Sequence, residues 1–422
     1  MKLIAIVIFL LMYVLLLVFP PKRAYIALSA AAIFVILGIL PVQDVFMTVN
    51  WNVILMITGS MGVVSLFIDS QMPEVMADKI IRKMPNVKWA ILSLAFFAGI
   101  ISAFVDNVAT VLMVAPIAVT IAKKLEISPV PSVIAIAVSS NLQGAATLVG
   151  DTTSILLGGY ANMDFLDFFF FQGKPCLFWI CEIAAIVATL VLYVVLRKYK
   201  QPMKDVIDTK YNDIVPTFML VGMILLLILA SFIPNKIGIT NGLICVGMFA
   251  FGLIRRYIIT KDINLVTKAL KDIDYFTLAL LAGIFIVIGG ITEAGVIEDF
   301  AKIFVKLSSG NLFLAYTLIL WASVVLSAFI DNIPYVATML PVVGGVATMM
   351  GVDPYVLYFG LVSGATLGGN LTPIGASANI AGLGILRKEG YQPSTAEFMK
   401  IGVPFTLSAV IVGYVLIWLI WS

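Results

Sequence analysis

The chain has 422 residues, 62% hydrophobic and only 12% charged, with a mean hydropathy of +1.11, whereas a soluble domain is about 25% charged. That much apolar surface cannot be hidden from water in a folded core, so lipid is the solvent for most of the chain; the net charge of +3 includes no basic tract interleaved with aromatics, so no nucleic-acid partner is implied. Histidine is absent and Cys176, Cys181 and Cys245 form no CxxC pair, which excludes histidine relays, histidine metal sites and a disulfide framework and leaves Asp or Glu as any proton carrier.

The apolar run Leu3–Phe19 carries no cleavage signal, ends in Pro20-Pro21-Lys22-Arg23, and reads as a retained first span. Stretches near the 20 residues a span needs follow at 24–40, 51–69, 131–160, 175–196, 214–233, 240–258, 275–292, 355–386 and 400–421. Two of these, 131–160 and 355–386, are overlong and interrupted by Gly, Thr, Asp or Pro, and read as broken helices. Segments 89–122 and 312–347 are each split by an Asp-Asn pair and have second arms of about 15 residues, short for a crossing at 1.5 Å per residue. Each reads as a re-entrant hairpin with Asp-Asn at its tip. The run Phe168–Phe171 reads as an interface segment on the outer surface. The charged stretch Arg197–Asp213 marks the boundary between halves, giving 1–200, a cytoplasmic linker 201–213, and 214–422. With the N- and C-termini outside, only Lys2, Lys174, Lys236, Lys302 and Lys306 of the 26 Lys and Arg fall outside, the bias expected of a multi-pass protein of the cytoplasmic membrane.

The halves repeat. Residues 102–117 align with 327–342 at an offset of 225, with seven identities in sixteen, among them Asp106-Asn107 with Asp331-Asn332 and Pro116 with Pro341. The same offset aligns Gly144 with Gly369, Thr147 with Thr372 and Gly150 with Gly375. Each half holds five spans and a hairpin, and five is odd, so the second half enters the membrane inverted. The expected fold is an all-α polytopic membrane protein of two inverted repeats, with about 10 spanning helices (broken ones included) and two re-entrant hairpins, one entering from inside (89–122) and one from outside (312–347). Matched interrupted helices in inverted repeats point to a secondary transporter with its site near the midplane.

Four segments supply the chemistry: the tips at Asp106, Asn107, Thr110 and at Asp331, Asn332, and the breaks at Thr147, Gly150, Asp151, Thr152, Thr153, Ser154 and at Asn370, Thr372, Gly375, Ser377, Asn379. A charged side chain at membrane depth has a job or a partner. Broken helices expose carbonyls and N–H groups; hydroxyls, amides and a carboxylate add oxygen ligands for a hard cation. Na⁺ at Asp106, Asn107, Asp331 and Asn332 is one reading; a proton on Asp106 or Asp331 is the other, since burial favours the neutral carboxyl. Asp151 has Ala376 as its counterpart, so the site is asymmetric. No Walker sequence and no nucleophile–base pair is present, so neither ATP hydrolysis nor enzymatic chemistry is indicated.

Ser327-Ala328-Phe329-Ile330-Asp331-Asn332-Ile333-Pro334-Tyr335 and Gly368-Gly369-Asn370-Leu371-Thr372-Pro373-Ile374-Gly375 resemble the ion-transporter superfamily of arsenite permeases, NhaD-type sodium/proton antiporters and the P protein. Gly144-Ala145-Ala146-Thr147-Leu148-Val149-Gly150-Asp151 is similar to that family's first break, which often continues Pro-Pro-Asn where this chain has Thr152-Thr153-Ser154. The resemblance covers both halves. It implies hairpins entering from opposite sides and an elevator-like transport domain beside a scaffold. The more distant divalent-anion/sodium symporters carry Ser-Asn-Thr at the tips; the carboxylate here favours a cation or proton. The expected activity is proton- or sodium-coupled antiport or efflux of a small inorganic ion, with no cofactor beyond the coupling ion H⁺ or Na⁺. Sodium-coupled symport of a small carboxylate or oxyanion and a passive anion channel are the alternatives. The related symporters point to a homodimer.

Overall fold

The computed structural model describes residues 1–202 and 210–422; part of the expected linker 201–213 therefore lies outside the described residues. The first half contains α1 (Lys2–Val18), α2 (Arg23–Ile36), α3 (Val45–Thr48), α4 (Trp51–Asp69), α5 (Met72–Ile81), α6 (Val87–Ser102), α7 (Asn107–Lys124), α8 (Val130–Gly144), α9 (Thr152–Ala161) and α10 (Leu177–Val195). The second half contains α11 (Val215–Ser231), α12 (Thr240–Thr260), α13 (Ile263–Lys271), α14 (Tyr275–Glu293), α15 (Val296–Leu307), α16 (Leu312–Ser327), α17 (Asn332–Met350), α18 (Tyr355–Gly368), α19 (Ser377–Lys388) and α20 (Thr395–Trp421). The all-α expectation holds except for one small hairpin, β1 (Phe170–Phe171) with β2 (Lys174–Pro175), turned by Gln172 and Gly173 at φ 50° and 74°. The aromatic run is thus not all surface: Phe168 is fully buried while Phe170 is exposed.

The offset of 225 found in the motifs governs the helix ends. α6, α7, α8 and α9 start at the positions that start α16, α17, α18 and α19. The starts share their chemistry too. Asn86 and Asn311 cap α6 and α16 by accepting from Trp89 and Leu314 N–H; Pro129 and Pro354 precede α8 and α18; Asp106 and Asp331 cap α7 and α17. Capping side chains satisfy the orphan N–H groups of a first turn, so these residues fix where each helix begins. Packing exchanges between the halves in the same way. α4 lies on α12 as α14 lies on α2, α7 on α19 as α17 on α9, and α10 meets α20.

Both Asp-Asn segments fold back on themselves. Val87, Ala90 and Ile91 at the start of α6 line the same small void as Ile121 and Ala122 at the end of α7. α15, which leads into α16, packs its Ala301 and Ile297 against Gly345 near the end of α17. The open ends of the two segments lie near the two ends of α10. The first opens beside the end of α10, where Val87 and Lys88 N–H donate to the Gln201 and Tyr199 carbonyls. The second opens where Phe313 meets Trp418 and Trp421 meets Phe171, with ring centroids at 4.8 and 5.9 Å.

One length expectation is corrected. The second hairpin arms are 18 and 19 residues, because α7 runs on through Lys123-Lys124 and α17 to the turn at Gly351, so arm length alone does not identify a hairpin. Among the described residues, seven helices are by themselves long and apolar enough to cross, the second hairpin arms α7 and α17 among them, or eight if α15 and α16, bent by 115°, form one span. Of the other expected spans, α1 and α11 stop at 17 residues and α2 at 14, where Gly38 at φ 67° turns the chain, and the two broken helices are each a pair of shorter pieces.

Candidate functional site

Four helices begin at one place. α7, α9, α17 and α19 have Asp106, Asp151, Asp331 and Ala376 at their N-cap positions. Their positive dipole ends converge there, and three of the four caps are carboxylates. The breaks leave the helices at Gly144 and Gly368 and are tied to the hairpin tips by a matched pair of bonds: Thr147 Oγ1 donates to the Ala103 carbonyl and Thr372 Oγ1 to the Ala328 carbonyl. At Gly150 the carbonyl oxygens of Gly144, Ser102 and Ala103 crowd the space a Cβ would occupy, at 2.5, 2.6 and 2.7 Å; at Gly375 those of Gly369, Ala328 and Ser327 stand at 2.7, 2.8 and 2.8 Å. Only glycine admits this approach, which packs each break directly on a tip.

A cavity of about 550 Å³ reaches this centre. Asp106, Asn107, Asp151, Thr152, Asn332 and Ser377 line its deep end, and Asp69, Lys268, Asp272 and Asp274 its other end. Asp106 Oδ1 accepts from the N–H groups of Val108 and Ala109, both at 3.1 Å; its Oδ2 accepts nothing among the described residues. Asp151 Oδ2 accepts from Thr153 Oγ1 at 2.9 Å and, at 3.5 Å, from Asn332 Nδ2 of the opposite hairpin. The second tip therefore meets the first break, and Asn107, Asp151, Asp331 and Asn332 are all buried inside the assembly.

The matched aspartates differ in their surroundings. Asp331 Oδ1 caps Ile333 N–H at 3.1 Å, while its Oδ2 accepts from Ser377 Oγ at 3.0 Å and from Arg23 Nη1 at 2.9 Å. Arg23, expected among the loop charges, is a partly buried partner of the second tip, with its side chain 14% exposed. At the other end of the cavity the acids are mostly engaged: Asp69 with Arg256 and Lys268 at 2.8 and 2.7 Å, Asp272 with Ser65 at 2.7 Å, Asp274 as the cap of α14.

The remaining expected residues build the frame. Thr110 and Ser154 turn their hydroxyls to the carbonyls of Val105 and Ala145. Asn379 Nδ2 donates to the Gly369 and Thr372 carbonyls, and its Oδ1, with Ser327 Oγ, is buried without a partner among the described residues. Asn370 belongs to an amide chain that crosses between halves: Asn107 donates to Asn141, Asn141 to Asn370, and Asn370 to the Val138 carbonyl, at 2.9, 3.1 and 2.9 Å. Asn141, Thr366, Asp272, Asp274 and Arg23 were not singled out from the sequence. One signal was available: Asn141 and Thr366 are polar residues at the same offset of 225, inside otherwise apolar runs.

The model of the citrate transporter family (CitMHS) matches residues 13–364. Two uncharacterised transporters of Mycobacterium tuberculosis are each 31% identical over 99% of this chain, covering 99% and 98% of their own lengths. The human P protein is 25% identical over 92% of this chain and 56% of its own. Two solved transporters share the fold: YdaH of Alcanivorax borkumensis (TM-score 0.60, 14% identity, 94% of this chain and 96% of that one) and MtrF of Neisseria gonorrhoeae (TM-score 0.58, 16% identity, 92% and 84%).

Proposed function

The chain belongs to the citrate transporter family, and on that premise we propose that it is an ion-coupled secondary active transporter whose coupling cation, H⁺ or Na⁺, is held at Asp106 and Asp151. The observation that carries this reading is the single cavity bordered by both hairpin tips and both helix breaks, with Asp106 Oδ2 unused inside it. A carboxylate so placed needs a counter-charge, and the hydroxyls, amides and carbonyls around it are the ligands a hard cation takes. In this reading the halves are inverted repeats in a cytoplasmic membrane with both termini outside, and the hairpins and broken helices move elevator-like against the remaining helices. Exchange of H⁺ or Na⁺ against the transported ion is the leading mechanism.

The family's description favours a second reading, cation-coupled uptake of a small carboxylate such as citrate. The four helix N-termini offer N–H groups to an anion. The cavity also holds Asp69, Asp106, Asp151, Asp272 and Asp274, so a polycarboxylate would enter it only with cations or protons. Proteoliposome flux decides between the readings. Labelled citrate and labelled Na⁺ are followed under an imposed pH or Na⁺ gradient, in the wild type and in Asp106→Asn, Asp151→Asn and Asp331→Asn. Gradient-driven citrate uptake selects symport, and Na⁺ or H⁺ exchange without citrate selects antiport. Wild-type coupling in both Asp106→Asn and Asp151→Asn would sink the carboxylate assignment. A current with no reversal potential tied to a second ion would mean a channel.

A further inference from the structure

We propose that Arg23 is a tethered cation that fills the counter-charge position at Asp331, so that in this conformation an external cation is admitted only on the Asp106 side. The inference rests on the cation-site reading above and adds to it a residue from outside the repeated motifs.

The two caps are equivalent by sequence and by backbone. Asp106 and Asp331 stand 225 residues apart, start α7 and α17, and accept from their own first-turn N–H groups. They differ in what meets Oδ2. At Asp106 it faces the cavity with no donor among the described residues; at Asp331 it holds the guanidinium and Ser377 Oγ. The Asp331 side chain is 8% exposed, and Asp331 does not line the cavity.

Arg23 is itself anchored. Its Nε donates to the Leu16 carbonyl at 3.3 Å, across the bend between α1 and α2. Ten residues earlier, the Tyr13 hydroxyl donates to the Pro334 carbonyl at 2.8 Å and also to Thr338 Oγ1, clasping α1 to α17 just beyond its cap. Lys2 pairs with Asp299 of α15 at 2.5 Å, so α1 enters from the face at which the second hairpin opens. The α1–α2 pair therefore carries a fixed positive charge to the depth of the second tip. A buried carboxylate stripped of its partner is strongly unfavourable unless another charge replaces it. Removal of the Arg23 charge should therefore turn the closed second tip into a cation site, and any movement of the hairpin away from α1–α2 has to exchange the guanidinium for an ion from solution.

The test is Na⁺-dependent thermal stabilisation of the full chain in lipid nanodiscs, with choline as the control ion, which requires no knowledge of the cargo. In Arg23→Gln the half-saturating Na⁺ concentration falls by about tenfold relative to wild type, because a second carboxylate becomes available to ligate the ion. In Arg23→Gln/Asp331→Asn that gain is lost. Arg23→Lys keeps the tethered charge and leaves the half-saturating concentration near the wild-type value; Arg23→Met, which also removes the charge, serves as the test variant if Arg23→Gln is not recovered folded. A half-saturating concentration within twofold of wild type in Arg23→Gln, or in Arg23→Met where only that variant folds, overturns the proposal. So does a gain that persists in the double variant. Asp106→Asn in the same assay reports on the cation-site reading separately: an unchanged Na⁺ response there removes the Asp106 site without touching the comparison at Asp331.

Discussion

Gly150→Ala is the sharpest structural test of the tip-on-break arrangement. A Cβ at this position would stand 2.5 Å from the Gly144 carbonyl oxygen, 2.6 Å from that of Ser102 and 2.7 Å from that of Ala103, where ordinary contact is 3.4–4 Å. All three atoms are backbone, and they belong to the end of α8 and the tip of the first hairpin, so no side chain can rotate away. Relief requires the break and the tip to separate by most of an ångström, which also pulls Thr147 Oγ1 from the Ala103 carbonyl. Overpacking of this kind costs typically 1–3 kcal/mol, and loss of a buried hydrogen bond about 1 kcal/mol more, so a loss of about 3 kcal/mol is expected. The assay is thermal unfolding in nanodiscs, read by the fluorescence of the six Trp residues. Gly384→Ala is the control: its added Cβ meets nothing within 4 Å, and α19 should gain slightly from alanine. Gly375→Ala should behave like Gly150→Ala. If Gly150→Ala unfolds at the same temperature as Gly384→Ala and keeps the wild-type cation response, the tip does not rest on the break as described.

Asp106→Asn retains a good N-cap residue, so the chain should fold with little loss of thermal stability while its affinity for the coupling cation drops at least about tenfold; ion-dependent melting measures both. Thr147→Val and Thr372→Val each remove one tie between break and tip and should cost roughly 1–2 kcal/mol apiece, with the double variant showing whether the ties act independently. Asn141→Leu leaves Asn107 and Asn370 without their shared partner in a fully buried position. A loss of about 2–3 kcal/mol in unfolding, larger than that of the single tie variants, is the expected result.

The sequence made the repeated parts legible because repetition is a comparison the chain makes with itself. The Asp106-Asn107 and Asp331-Asn332 pairs, the breaks near Gly150 and Gly375 and the offset of 225 are each visible without a structure, and the same offset relates the starts of α6–α9 to those of α16–α19. The resemblance to the P-protein superfamily, carried by the second tip and second break, agrees with the family model and with the P protein's alignment across both halves. Arg23 was beyond reach for a physical reason. It sits beside Lys22 after two prolines, which is how a membrane-edge loop reads, and only tertiary packing of α1 and α2 on α17 brings it to Asp331. Hairpin arm lengths were misread because α7 and α17 continue past their apolar cores into a Lys pair and a glycine turn, which hydropathy truncates.

The asymmetry first seen as Asp151 against Ala376 becomes a charge argument once Arg23 is placed. Four helix N-termini contribute about half a positive charge each, near +2 together. Ionised Asp106, Asp151 and Asp331 bring −3, and Arg23 returns +1, so the centre is close to neutral before any ion arrives. It is not uniform. By the same count the half containing Asp331, with two N-termini and Arg23 against one carboxylate, is positive by about one unit, while the cavity side, with two N-termini against Asp106 and Asp151, is negative by about one. A cation arriving through the cavity is thus drawn to the first half, and its charge leaves the centre positive by about one unit with four N-termini still directed inward. An anion gains from the site only after that step. Under the carboxylate reading, cation first and anion second is the order these charges impose, and Arg23 keeps one cation, not two, sufficient to set it.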